Sequence, residues 1–175
     1  TLMKTSADSL KKSADALNDS SLWEKKKIKK KDEKTGEEIE VEDYDWDKIT
    51  KAVKSFVEDY NDVVKEAGES NTKDVLRNAS WMTGMTDKNS NMLAKIGITI
   101  GKGNKLELDE DALKQADISS LKTVFTGYNS FVSKISQKAT GISNAANRAS
   151  ATYTNNGTYS KTDSLLTSSK IDEEV

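Results

Sequence analysis

Apolar residues recur three and four positions apart along much of this chain, the spacing that gathers them on one face of an α-helix. Met3, Ala7, Leu10, Ala14 and Leu17 predict a first helix. Within it a block returns after seven residues, as Ser6-Ala7-Asp8-Ser9-Leu10 and Ser13-Ala14-Asp15-Ala16-Leu17. Trp46, Ile49, Val53, Phe56, Tyr60, Val63 and Ala67 predict a second, with Val57 and Val64 widening its stripe. Tyr128, Val132, Ile135, Ala139, Ile142, Ala146, Ala149 and Tyr153 predict a last one. A repeat near 3.5 residues keeps one seam turned toward a partner helix along its whole length, the coiled-coil condition. The candidate interface residues are therefore Leu10, Leu17, Trp46, Ile49, Val53, Phe56, Tyr60, Val63, Tyr128, Val132, Ile135 and Ile142. Alanine at so many seam positions permits close approach but buries little area, so each seam needs another helix over it, in this chain or in a neighbour.

Local signals set the boundaries. Gly68 and Gly127 are expected as left-handed C-caps of the helices before them. Asn71 or Thr72 is placed to cap a third helix carrying Val75, Leu76, Ala79 and Met82, continued after Gly84 by Met92, Leu93 and Ile96. Asp109 reads as an N-cap with Leu108 and Leu113 as a hydrophobic staple, and Asp117 caps a short helix bearing Ile118, Leu121, Val124 and Phe125.

Two stretches leave the helical period. Ile98-Thr99-Ile100 and Leu106-Glu107-Leu108 alternate with period two around Gly101-Lys102-Gly103-Asn104, a small β-hairpin. Between Leu22 and Tyr44, Lys25, Lys26, Lys27, Lys29, Lys30 and Lys31 precede a turn at Lys34-Thr35-Gly36, and Glu37, Glu38, Glu40, Glu42 and Asp43 follow it. Opposite charges facing across antiparallel strands favour pairing, so this segment reads as a protruding charged hairpin or a mobile excursion between two core helices. The expected fold is mainly α: an elongated antiparallel helical bundle or coiled coil with one small β-hairpin at about 98–108 and a charged hairpin inserted at about 22–44. One domain is expected over residues 1–154, followed by a Ser/Thr/Asn-rich, loosely held tail over 155–175.

Composition narrows the chemistry. Hydrophobic residues are 34% and charged residues 32% of the 175, too few apolar and too many charged for a thick core. Lys+Arg 27 against Asp+Glu 29 leaves a net charge of −2, which provides no global field for nucleic acid or an anionic membrane. Cysteine, histidine and proline are absent, which removes thiol chemistry, the commonest general base and helix-kinking prolines. No run of apolar residues is long enough to span a bilayer. The chain opens at Thr1 rather than Met and reads as trimmed.

Fragments that suggest chemistry fail on inspection. Asp87-Lys88-Asn89-Ser90-Asn91 opens like a calcium loop, but Met92 stands where glycine is required and Ile98 where the bidentate acid belongs. Gly101-Lys102-Gly103 lacks the Gly-Lys-Ser/Thr ending of a phosphate loop. Asp109-Glu110-Asp111 fits a helix first turn. Glu58, Asp59 and Asp62 lie off the apolar seam on what reads as a solvated face, and Trp23, Trp46 and Trp81 read as core or helix-packing residues. No catalytic residue, metal site or cofactor is expected.

Phe56-Val57-Glu58-Asp59-Tyr60-Asn61, followed by Leu93, Ile96, Gly97, Ile98, Thr99, Leu106, Leu108, Asp109, Leu113, Asp117, Leu121, Val124 and Phe125 in order, resembles the helical leg of the bacterial flagellar filament cap (hook-associated protein 2) family. In that family a long helix carries Phe-Val-x-x-Tyr-Asn, and a later stretch reads Leu-x-x-Ile-Gly-Ile-Thr, a turn and Leu-x-Leu-Asp. The resemblance runs over about Trp46 to Gly157, and the helix from Tyr128 matches the family's next coiled-coil helix in position. The missing Cys, His and Pro agree with the habit of exported axial flagellar proteins. Against the family pattern, the charged segment stands where β-rich head domains usually precede the leg and the long terminal anchoring helix is not found before Val175, so the chain is expected to be either trimmed or a shortened relative that does not cap filaments.

The resemblance implies a non-enzymatic, extracellular structural or assembly protein of the flagellum, acting through helix–helix self-association and contacts with flagellin-type subunits, without nucleic acid or membrane insertion. The alternative is a secreted helical module that contacts a surface or host ligand through the charged hairpin. An intracellular adaptor or export chaperone is a third reading.

Overall fold

A computed structural model describes residues 1–157, with side chains described through residue 151. The protein is mainly α. Helices α1 (Leu2–Leu17), α2 (Trp46–Gly68), α3 (Lys73–Lys88) and α7 (Phe131–Gly157) form a bundle. Between α3 and α7 lie α4 (Ser90–Ala94), strands β3 (Ile98–Ile100) and β4 (Leu106–Leu108), α5 (Glu110–Gln115) and α6 (Ile118–Phe125). Strands β1 (Lys26–Lys31) and β2 (Glu38–Asp43) form the charged hairpin between α1 and α2.

In the bundle α1 packs on α2 and α7, and α3 packs on the same two, so the order around the core is α1, α2, α3, α7. At 1.5 Å per residue, α2 is about 35 Å long and α7 about 40 Å. The stripes read from the sequence face inward. Ala7, Leu10, Ala14 and Leu17 on α1, Ile49, Val53, Phe56, Tyr60 and Val63 on α2, and Val132, Ile135, Ala139 and Ile142 on α7 are buried. Phe56 is the hub of the core: its ring lies tilted against Tyr60 at 6.2 Å and edge-on to Phe125 and Phe131 at 6.4 and 6.3 Å between centroids.

Two asparagines close the molecule by gripping backbone far away in sequence. Asn18, at the end of α1, accepts from Gly127 N–H at 2.8 Å and donates to Gly127 O at 3.2 Å. Asn61 on α2 does the same to Leu106, accepting from its N–H at 2.7 Å and donating to its carbonyl at 3.0 Å, which ties β4 to the bundle. Replacing Asn61 with leucine leaves both backbone groups of buried Leu106 without these partners. A loss of about 1–3 kcal/mol is expected by urea unfolding, mostly from unsatisfied desolvated groups. A loss below a few tenths would mean that water already serves that backbone.

Several local expectations need correction. Tyr128 is not on the last helix: Ser130 caps it, accepting from Ser133 N–H at 3.2 Å, and Tyr128 sits on the preceding turn, 91% exposed. Phe131 takes the buried position instead. Gly68 does not cap α2 in the left-handed region, because Glu69 and Ser70 donate back to Glu66 and Ala67 with right-handed geometry. Gly127 does adopt positive φ, at 102°. Leu22 belongs to the core rather than to the insertion: residues 20–23 form a 3-10 turn that buries Leu22 and Trp23. The third helix stops at Lys88 and restarts at Ser90. Tyr153 and residues 158–175 lie outside the described side chains and residues respectively, and with them most of the expected tail.

Candidate self-association surface

Ten of the twelve candidate seam residues, Leu10, Leu17, Ile49, Val53, Phe56, Tyr60, Val63, Val132, Ile135 and Ile142, have no exposed surface. Trp46 is half-buried and Tyr128 exposed. The seams are thus covered by helices of the same chain, and what faces outward is different in kind.

The α1–α7 seam is fastened along its rim by polar pairs with a seven-residue period. Ser136 Oγ donates to Asp15 and Ser143 Oγ to Asp8, which makes the two helices antiparallel. Lys4 and Lys11 pair with Asp8 and Asp15 one turn away, at 2.7 and 2.5 Å. Ser136 and Ser143 repeat the spacing of Asp8 and Asp15, a signal that was present in the sequence and not used. Lys4 and then Ser143 hold the Asp8 carboxyl below its ordinary value. At Asp15 partial burial pushes upward, and the bonds from Lys11 and Ser136 outweigh it, so that carboxyl is lowered too.

These shifts set a direction for acid. A carboxyl with a lowered folded pKa stabilises fully above its unfolded value, near 4, and loses that contribution as pH falls through the folded value. The unfolding temperature is therefore expected to fall between about pH 5 and about pH 3, and Asp8→Asn with Asp15→Asn should flatten that slope. Asp59 opposes it: desolvation raises its carboxyl, so its contribution is complete at low pH and lost as pH rises through the folded value. A steeper acid slope in the double variant would contradict the assignment. Tyr60 stays a neutral donor throughout, since burial pushes its phenol to about 12 while its hydroxyl donates to Thr86 Oγ1 at 2.8 Å.

Two features face outward. On the α3 and α7 side, Trp81 is not a core residue: it is 47% exposed and carries Lys138 Nζ 4.2 Å over its ring. It borders a groove of about 560 Å³ with Met85, Lys88, Lys134 and Gln137. Asp74 on α3 meets Arg77 at 2.9 Å and Arg148 of α7 at 3.8 Å, exposed pairs that contribute little. The other outward feature is the charged hairpin, in register from Lys26 opposite Asp43 to Lys31 opposite Glu38. Among the described residues no group of three or more acidic side chains is placed to hold a metal ion, and no helix is long and apolar enough to cross a membrane.

The model of one family, the flagellar hook-associated protein 2 C-terminus, matches residues 70–173, more than half of the chain. The chain belongs to that family. The hook-associated match takes in α3 to α7, including the Leu93–Phe125 stretch whose order carried the resemblance. Phe56 to Asn61 precede it, yet Phe56, Val57 and Tyr60 are core residues and Asn61 holds β4. Most apolar members of the hook-associated pattern, from Leu93 to Phe125, are likewise buried in the core. No curated protein and no solved structure matches the chain.

Proposed function

We propose that this chain is a non-enzymatic structural element of the flagellar filament cap, acting outside the cell by associating with copies of itself and with flagellin-type subunits. The observation that supports this reading is the hook-associated family match over residues 70–173. The bundle acts as a stiff leg: its long helices are joined through a shared aromatic core, and its rim is fastened by paired serines and aspartates. Because the strongest apolar side chains are spent inside the chain, contacts between copies draw on the outer helix faces and the hairpin. Immunogold labelling of whole cells is expected to place the protein at filament tips, and light scattering is expected to show a mass that rises above the monomer with concentration. Labelling confined to the cell interior, with a monomer at every concentration, would overturn the proposal.

The protruding hairpin favours a second reading, a secreted module that holds a surface or host ligand. In that case removing residues 26–43 abolishes binding to such a surface and leaves helicity and oligomeric state unchanged.

A further inference from the structure

Among the described residues, the β1–β2 hairpin leaves the bundle as a two-stranded sheet with no third strand on either edge. Neither strand packs substantially on a helix among the described residues. Its root is firm. Trp23 on one side is buried, stacks on Phe125 at 5.7 Å and donates from Nε1 to Leu17 O at 2.7 Å. Tyr44 and Trp46 on the other side meet edge-to-face at 6.1 Å. Its tip is closed, with Asp32 N–H donating to Glu37 O and Gly36 N–H, at φ 71°, donating back to Asp32 O, both at 2.8 Å.

A lone two-stranded ribbon is marginal in water, and further strands or a covering element are what stabilise one. One face of this ribbon carries Lys27–Glu42, Lys29–Glu40 and Lys31–Glu38. The other sets Ile28 opposite Val41 and Ile39 opposite Lys30, with Ile39 41% exposed. The ribbon therefore presents an apolar stripe and two open edges, with no helix packed substantially over them among the described residues.

The edges differ in sign: β1 has five lysines in six residues, and β2 four acids in six. Pairing two copies about a two-fold axis sets β1 against β1 or β2 against β2, with like charges facing at most positions, which is unfavourable. Pairing β2 of one copy with β1 of the next repeats the lysine-to-carboxylate facing that the hairpin already makes internally. Since β1 and β2 run antiparallel, the extended sheet stays antiparallel through every copy.

We infer that the hairpin is a strand-addition joint between copies of this chain, head to tail, with the Glu-rich edge of one copy taking the Lys-rich edge of the next. The stripe of Ile28, Ile39 and Val41 then runs on from copy to copy. A head-to-tail contact generates a closed ring or an open helical assembly, never an isolated dimer. The inference rests on the self-association proposed above, and names its surface and its polarity.

Charge reversal on one face provides the test. Lys27→Glu, Lys29→Glu and Lys31→Glu combined with Glu38→Lys, Glu40→Lys and Glu42→Lys keep every opposite-sign pair within a hairpin and between identical copies. Wild-type and reversed copies, however, meet with like signs. Each form alone is expected to assemble by light scattering, with equal helicity by circular dichroism. Capture of reversed copies by affinity-tagged wild type is expected to drop by at least about tenfold relative to capture of wild type. A second variant, with residues 26–43 replaced by a Gly-Ser turn, is expected to be monomeric with the bundle intact. Equal capture of both forms, or assembly persisting without the hairpin, overturns the joint and leaves self-association standing. A wild type that stays monomeric at all concentrations overturns both.

Discussion

Gly97→Ala is expected to lower stability by about 2–4 kcal/mol, the strain of a left-handed residue compounded by a steric clash. Gly97 has φ +91°, a region that side chains disfavour, so the substitution is strained even before packing is counted. A Cβ there would stand 2.7 Å from Asp109 O, 3.0 Å from Leu113 N and 3.2 Å from Ala112 Cβ. The first two are backbone atoms at the start of α5, and Asp109 N–H already donates to Gly97 O at 2.8 Å, so neither side yields without breaking the junction. For a domain of this size the loss corresponds to a fall of roughly 10 °C in the thermal midpoint, readable by calorimetry. A fall of under about 2 °C would show that β3 and α5 do not meet this closely.

Phe56→Ala is expected to cost about 3–5 kcal/mol, the range for deleting a fully buried aromatic ring. Three rings lean on Phe56 at 6.2 to 6.4 Å, one from its own helix, one from α6 and one from α7. Removing it opens a void where the diagonal helices α2 and α7 meet through Phe56 and Phe131. Phe125 also stacks on Trp23, so the loss should reach the root of the charged hairpin. Urea unfolding gives the magnitude, and Phe56→Leu, which refills most of the volume, should recover well over half of it. Equal losses for alanine and leucine would point to edge-on aromatic geometry, rather than filled volume, as the main contribution.

Local order was legible because its causes are local. The three-four spacing of α1, α2 and α7, the alternation at Ile98–Ile100 and Leu106–Leu108, and the cap at Asp109 each depend on residues within a few positions of one another. The same holds for the charged hairpin, whose Lys-to-Glu register follows from a short turn. The family was legible for a related reason: its pattern is an ordered string of packing positions, and the family match over residues 70–173 covers most of that string.

What lay beyond reach involves partners distant along the chain. Asn18 meets Gly127, Asn61 meets Leu106, and Asp8 meets Ser143, pairs separated by 109, 45 and 135 residues. Tyr128 fitted the spacing of the last helix as well as Val132 did, yet Ser130 starts that helix two residues later and turns Tyr128 outward. Trp81 read as a core or helix-packing residue; it is not in the core but meets Lys138 of α7 at the surface.

Periodicity alone determines that this chain makes amphipathic helices with narrow alanine-rich seams, since a side chain's direction on a helix depends only on its position in the turn. It leaves open what covers those seams, because a stripe is satisfied equally by a helix of its own chain or of a neighbour. The tertiary structure decided that question by closing α1, α2, α3 and α7 on one another. That closure moves any contact between copies from the helix seams to the outer surface and the hairpin, since an apolar face already buried has no further free energy to gain from a partner.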